Sequence, residues 1–165
     1  MEIRHIHKGD DRLKISRIYE ESWKFAYQGI VPQDYLDGIP SGHWAGCLDR
    51  EGVNSIIVVD NGELIGTSSY CRSRLPEFSD FGEIISIYLL PQYIGMGYGR
   101  QLLEAAVREL AALGFRDIFL WALAENQRAR KFYEKSGFVQ TEHCVEHLIG
   151  GKKLLEVQYY RAVGK

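Results

Sequence analysis

The 165-residue chain has no apolar run approaching the roughly 20 residues that span a bilayer, so no membrane partner is expected. Its start, MEIRHIHKGD, lacks an apolar segment behind a basic one and does not read as a secretory leader. Cysteine is scarce. Cys47, Cys71 and Cys144 are odd in number, widely spaced and without a C-x-x-C pair. That excludes a disulfide framework and fits a reduced, cytoplasmic protein in which each thiol is a small buried hydrophobe. An excess of one charge sign is also missing: 20 Lys and Arg against 22 Asp and Glu leave a formal net charge of −2. No global basic field therefore draws the chain onto nucleic acid. With no repeat, low-complexity tract or linker-like stretch, one domain over residues 1–165 is expected, long enough to bury roughly two thirds of its unfolded surface.

Periodicity gives the organisation. Residues 2–8, EIRHIHK, look strand-like, and Asp10 or Asp11 then caps a helix. In it Ile15, Ile18, Tyr19, Ser22, Trp23 and Ala26 form one apolar stripe, ended at Gly29. Pro32 opens a short helical turn through Leu36, and SGHWAGCLD reads as another short helix. The period then changes. SIIVVDNGELIGTSSY is two strands around Asn61-Gly62, and FGEIISIYLL (81–90) is an interior strand, apolar on both faces. A helix from about Tyr98 to Leu113 is capped by Gly114, and DIFLWALA (117–124) is the next strand. NQRARKFYEKSGF makes a short helix, and two strands around Gly150-Gly151 close the chain as a hairpin. This is an α/β (α+β) pattern: a mixed sheet with helices on its faces and a ligand-binding edge where strand meets glycine turn.

That turn, PQYIGMGYGRQLL (91–103), places Gly95, Gly97 and Gly99 at alternate positions before a helix. A helix start there exposes backbone N–H groups with the positive end of the helix dipole behind them, which suits pyrophosphate. A Walker A loop would need Lys and Ser or Thr after Gly99. A G-x-G-x-x-G fingerprint would need glycine at position 100 or 102, occupied by Arg100 and Leu102. A tight structural turn is the plain alternative.

IYLLPQYIGMGYGRQLL, followed by NQRARKFYEKSGF, resembles the GNAT superfamily of acetyl-coenzyme A-dependent N-acetyltransferases. That family carries [Q/R]-x-x-G-x-[G/A] after its fourth strand and a later N-x-x-A-x-x-[F/L]-Y-x-x-x-G-F. Asn126, Ala129, Phe132, Tyr133, Gly137 and Phe138 match the second motif. The element order matches over nearly the whole chain, and ESWKFAYQGIVPQDYLD resembles the substrate-side helices of bacterial members. Two frames fit the first motif, Gln92-x-x-Gly95-x-Gly97 and Ile94-x-x-Gly97-x-Gly99. The position of Leu102-Leu103 past the last glycine, and of Pro91-x-Tyr93 before the first position, selects the second. The chain thus departs from the pattern with Ile94 where the family has a polar residue.

The resemblance implies a mostly antiparallel sheet of about seven strands and acetyl-CoA as cosubstrate. It implies that the backbones of Ile87, Tyr88 and Leu89 receive the pantetheine arm. Ile94, Gly95, Met96, Gly97, Tyr98, Gly99 and Arg100 then hold the pyrophosphate, with Arg128 or Lys131 as further cations unless merely solvated. Asn126 caps its helix and bonds the arm, and Tyr133 serves as acid or positions the sulfur. Glu83 stands 14 residues before Gly97, the spacing of the catalytic glutamate in histone-acetylating members, and would be the base. As a carboxylate in an apolar strand it is expected to hold its proton tightly; Glu125 and Glu63 are substitutes. A base is needed because an amine of pKa about 10.4 costs roughly 4–5 kcal/mol to neutralise at pH 7. Trp23, Tyr27, Asp34, Tyr35 and the turn at 147–152 would wall the acceptor pocket, with Asp34, Asp37, Glu20 or Glu21 attracting a cation. The two histidines of HCVEH (143–147) would lie roughly 13 Å apart on a strand, too far to share a metal.

The expected activity is acetyl transfer to a primary amine of a small molecule or protein, by direct attack in a ternary complex, in a monomer or homodimer. A non-catalytic acyl-CoA-binding regulatory module of the same fold is the alternative, and a nucleotide-binding α/β protein a second.

Overall fold

In the computed structural model, which describes residues 1–164, Asn61 and Gly62 have φ of 48° and 79°. These are the torsions of a two-residue hairpin turn whose twist suits the flanking strands. The edge strand β1 (Glu2–His5) lies along β2 (Asn54–Asp60), which that turn joins to β3 (Glu63–Arg72). β4 (Gly82–Leu89) continues the antiparallel run. The chain then needs a crossover, α3 (Tyr98–Ala112), to lay β5 (Asp117–Leu123) parallel beside β4. After α4 (Gln127–Lys135), the hairpin of β6 (Val139–Ile149) and β7 (Lys152–Ala162) inserts β7 next to β5. The sheet order is β1-β2-β3-β4-β5-β7-β6, with β4–β5 as its one parallel pair among the described residues. The expected fold class is therefore the one that forms; Lys165 lies outside the described residues.

Helices cover both faces. On one, Leu102, Leu103, Ala106 and Leu110 of α3, with Tyr133 of α4, pack on Ile84, Ile118, Leu120 and Tyr159 of the sheet. On the other, α1 (Arg12–Ala26) packs Ile15 and Tyr19 on Ile57, and α2 (Gln33–Asp37) buries Leu36 beside Leu123 and Leu154. Of the two candidate caps for α1, Asp11 accepts from the Leu13 and Lys14 amides, while Asp10 pairs with Arg4 at 2.8 Å. The helix expected over SGHWAGCLD is a single 3-10 turn, Ala45–Cys47. The Gly42 amide bonds Glu20 and the Trp44 amide bonds Ser16, so the segment's donors are spent on α1 and not on a helical ladder. Only Cys71 is buried; Cys47 and Cys144 are exposed, against expectation. No helix among the described residues is long and apolar enough to cross a membrane.

Candidate active site

β4 and β5 pair only at Gly82, Glu83 and Ile84. Beyond Ile84 they part, and no strand borders Ile85–Leu89 on that side. The edge groups of Ile87 and Leu89 are thus without a ladder partner on the β5 side, as an extended ligand arm requires. One of these groups has another engagement: the Leu89 carbonyl accepts from Ser22 Oγ of α1 at 2.6 Å.

The turn after β4 is built from backbone. Gly95 and Gly97 have φ of 84° and 89°, a region that residues with a Cβ avoid, and Gly97 is the N-cap of α3. No side chain caps this helix, and the amides of Tyr98, Gly99 and Arg100 meet no acceptor among the described residues. By contrast α1 is capped by Asp11, and α4 by Asn126, whose Oδ1 accepts from the Ala129 amide at 3.2 Å. The five-residue α2 also lacks a capping side chain, so among the three longer helices only α3 starts uncapped, and its free amides can receive an anion. Gly99 differs from its neighbours: a Cβ there would meet Leu89 and Phe132 at an ordinary 3.5–3.6 Å. Tyr98 turns its side chain away to Asp60 (2.9 Å), leaving its amide to the site. Met96 and Arg100 are exposed at the turn and Ile94 is half-buried. Arg128 lies over the Phe25 ring at 5.0 Å.

At the splay, Tyr133 is buried, and its hydroxyl is paired with no group among the described residues. Burial holds its pKa above the ordinary tyrosine value, with a smaller contribution from Tyr88. On the α1 side of the sheet lies a cavity of about 670 Å³, within the range of small-molecule sites. Tyr19, Trp23, Tyr27, Trp44, Tyr88 and Trp121 give it aromatic walls. Trp23 donates its indole N–H to Tyr88 (3.1 Å) and stacks edge-on with Tyr27 at 4.8 Å. Tyr88 thus serves the cavity with its side chain as well as the open edge with its backbone.

A bulge in β4 sets what faces this cavity. Ser69 pairs with Ser86 and Tyr70 with Ile84, so Ile85 is the extra residue. The slip brings Glu83, Ser86 and Tyr88 to one face, where strict alternation would set Ser86 and Tyr88 opposite Glu83. Tyr19 Oη lies 2.9 Å from Ser69 Oγ and 3.2 Å from Ser86 Oγ, which ties α1 to the bulge.

Three carboxylates line the cavity: Glu51, exposed on the turn before β2, and Glu83 and Glu156. Glu83 is 1% exposed and held by Arg74, which follows β3. Its Oε1 accepts from Arg74 Nη2 at 2.6 Å and Nε at 3.2 Å, and its Oε2 from Nε and from the Arg74 amide at 3.1 Å. The apolar setting expected for it is thus an ion pair. Glu156 of β7 is 26% exposed and lies 3.3 Å from His147 of β6. Burial raises its pKa, with His147 and Arg74 opposing. Cys71 also borders the cavity, and burial pushes its thiol up to about 11.

Other expected residues fall elsewhere. Asp34 is exposed on α2 and does not line the cavity, because Leu36, about 200° around the helix, faces inward. Tyr35 stands at the outer rim, between Trp23 and the Gly150 turn. Asp37 bonds Gln33, Glu21 pairs with Arg17, and Glu63 accepts from Tyr93. Glu125 is exposed near Lys152, and Glu20 is buried under the Gly42–Trp44 segment. Arg74, Glu156, Trp44 and Trp121 enter the site unannounced; the one signal for Glu156 was a carboxylate alternating with Leu154 on a strand face.

The model described as the acetyltransferase (GNAT) family matches residues 14–138. An uncharacterized N-acetyltransferase of Archaeoglobus fulgidus is 31% identical over 139 residues, 81% of this chain and 89% of its own. Spermidine N(1)-acetyltransferase of Thermoplasma acidophilum is 26% identical over 157 residues, 91% of this chain and 92% of its own. The crystal structure of PaiA N-acetyltransferase from Thermoplasma acidophilum in complex with coenzyme A has a TM-score of 0.73 at 20% identity, over 94% of this chain and 98% of that one. This last is a likeness of fold. A long match to the family model, over the elements that build the splay and the glycine turn, decides the matter: the chain belongs to the GNAT family of acetyltransferases.

Proposed function

We infer that this protein acetylates a primary amine, with acetyl-CoA as cosubstrate and direct attack in a ternary complex. One observation carries the reading: β4 leaves β5 after Ile84 beside an α3 start whose amides have no acceptor. The residues present fit the coenzyme. The amides of Tyr98, Gly99 and Arg100 take the pyrophosphate, the open edge of β4 takes the arm, and Asn126 keeps its amide nitrogen for the arm while its oxygen caps α4. The acceptor amine enters from the aromatic cavity on the opposite face. Acetyl-CoA supplies an activated acyl group whose carbon the neutral amine attacks.

Tyr133 hydrogen-bonds the departing sulfur. A pKa above that of ordinary tyrosine keeps it a donor, while a thiol near 8.5 leaves readily as thiolate, so the tyrosine positions and stabilises without losing its proton for good. Direct transfer fits the cavity thiol, since Cys71 at about 11 is protonated at neutral pH and a poor acyl carrier. Glu83 clamps Arg74 and thereby shapes the cavity mouth.

Thiol release from acetyl-CoA across an amine panel, with calorimetry for CoA, tests this. Saturable CoA binding, no binding of ATP or NAD, and turnover of at least one amine are expected. Tyr133→Phe should lower kcat by roughly 10-fold or more with CoA affinity unchanged. Failure to bind CoA overturns the reading; binding without any turnover turns it into an acyl-CoA-binding module.

A further inference from the structure

We propose that Glu156 is the general base of this site and that His147 carries its proton to solvent. The inference rests on the amine-acetylation reading and assigns a step within it. An ammonium entering the cavity meets three carboxylates; Glu51 is exposed, on the turn before β2 and two strands from the β4/β5 opening. Glu83 is sealed and receives four hydrogen bonds from Arg74, so a proton could reach it only by displacing a guanidinium. Glu156 is open to the cavity and has one ionisable partner within reach, His147 Nε2 at 3.3 Å, which is half exposed to solvent on the outer strand. Position agrees. Glu156 pairs with Leu123, the last residue of β5, three residues before Asn126. It therefore stands at the open end of the splay.

The protons balance as follows. Glu156 takes one proton from the ammonium, and the freed lone pair forms the C–N bond to the acetyl carbon. The C–S bond breaks with its electron pair going to sulfur, which takes up the second proton that nitrogen loses. Glu156 passes the first proton to His147 and so to water, leaving amide, thiol and one released proton.

The charged and titratable groups facing Glu156 are His147 on β6, Glu83 on β4, Arg74 after β3 and Tyr27 at the C-terminal end of α1. Burial and Glu83 raise its pKa, His147 and Arg74 lower it, and the net direction is upward, which strengthens a base.

Glu156→Gln should lower kcat by roughly 100-fold or more at pH 7, the usual worth of a general base, with CoA affinity within about twofold of wild type. The deficit should shrink as pH rises toward the amine's own pKa of about 10, where free amine needs no base; a merely structural defect would not shrink. His147→Asn removes a group that lowers the Glu156 pKa, so the acid limb of kcat/KM should move to higher pH. Should the Gln variant misfold by its melting temperature, Glu156→Asp serves, with partial loss and the same pH recovery. Turnover by Glu156→Gln above half of wild type, or a deficit constant to pH 10, overturns the assignment while the acetyltransferase reading stands. Absence of any amine turnover by the wild type overturns both.

Discussion

The two sides of the β4/β5 opening are made of different materials. The side proposed for the coenzyme is backbone: two glycines with positive φ and a helix start with no capping side chain. The side proposed for the acceptor is side chain, six aromatic rings and three carboxylates from α1 with its C-cap, the 44–51 segment, β4, β5 and β7. A backbone site tolerates replacement of its side chains but not of its torsions, whereas a side-chain site behaves the other way. This contrast also divides what each half can be selective for. A diphosphate arm is one invariant shape, and fixed amides suffice for it; acceptors vary, and walls of exchangeable side chains can follow them.

The largest effect expected from breaking the contrast is at Gly97. Gly97→Val places a β-branched residue at φ 89° and a methyl group before the open amides. Strain of about 1–2 kcal/mol and loss of charge-assisted bonds worth about 1.5–3 kcal/mol should weaken CoA binding roughly 100-fold or more. Gly99→Ala, two residues on, should leave CoA affinity within about twofold, since its Cβ makes ordinary contacts and alanine favours a helix. Calorimetry on the pair decides it. Equal losses would mean that the turn works by close approach at both glycines and not by torsion at one.

Next comes the acceptor wall. Glu20 Oε2 accepts from Ser16 Oγ at 2.5 Å and the Gly42 amide at 3.1 Å, and Ser16 in turn accepts from the Trp44 amide at 2.9 Å. Through this chain a buried carboxylate on α1 holds Trp44 against Tyr19 and Trp23. Glu20→Ala removes the acceptor of the buried Ser16 hydroxyl and of the half-buried Gly42 amide and should cost about 2 kcal/mol of unfolding free energy, with acceptor KM raised and CoA affinity unchanged. Trp23→Phe keeps a ring but loses the bond to Tyr88. It should raise acceptor KM roughly fivefold, from about 1 kcal/mol, again with CoA untouched. If either variant weakened CoA binding, the halves would be coupled through Ser22 and the Leu89 carbonyl, the hydrogen bond that α1 makes to the backbone of the open edge.

The same contrast explains what could be read before the fold was known. A backbone site needs its residues in one short run, because torsions and helix starts are local; hence Gly95, Gly97 and Asn126 stand out in the chain. The acceptor site is assembled across long separations. Arg74 leaves a loop with nothing distinctive about it, and reaches Glu83 only because β3 and β4 pair. Glu156 joins the cavity only because β7 inserts between β5 and β6, a topological fact absent from local pattern. The bulge at Ile85 is harder still. An interior strand apolar on both faces carries no alternation to betray a slip, yet the slip decides which side Ser86 and Tyr88 face. Asp34 failed for the opposite reason: five helical residues allow any face to be guessed, and packing of Leu36 chose against it.

The smallest expected effect tests the backbone side at its one departure from the family pattern. Ile94 sits directly before Gly95, at the position where the motif it resembles has Gln or Arg, while Gln92 is exposed in the turn Pro91–Tyr93. If the amides supply most of the binding, a guanidinium added at position 94 contributes only an exposed ion pair, about 0.5–1 kcal/mol, or a two- to fivefold gain in CoA affinity. Such a pair is screened, so the gain from Ile94→Arg should fade as salt is raised from about 0.05 to 0.5 M. Affinity due to the amides should fall less, because fixed amides carry no net charge to screen. Gln92→Ala should change nothing in the same titration. A loss at Gln92 larger than the gain at Ile94 would shift the working frame two residues toward the strand, with Gly95 and not Gly97 as the glycine nearest the phosphates.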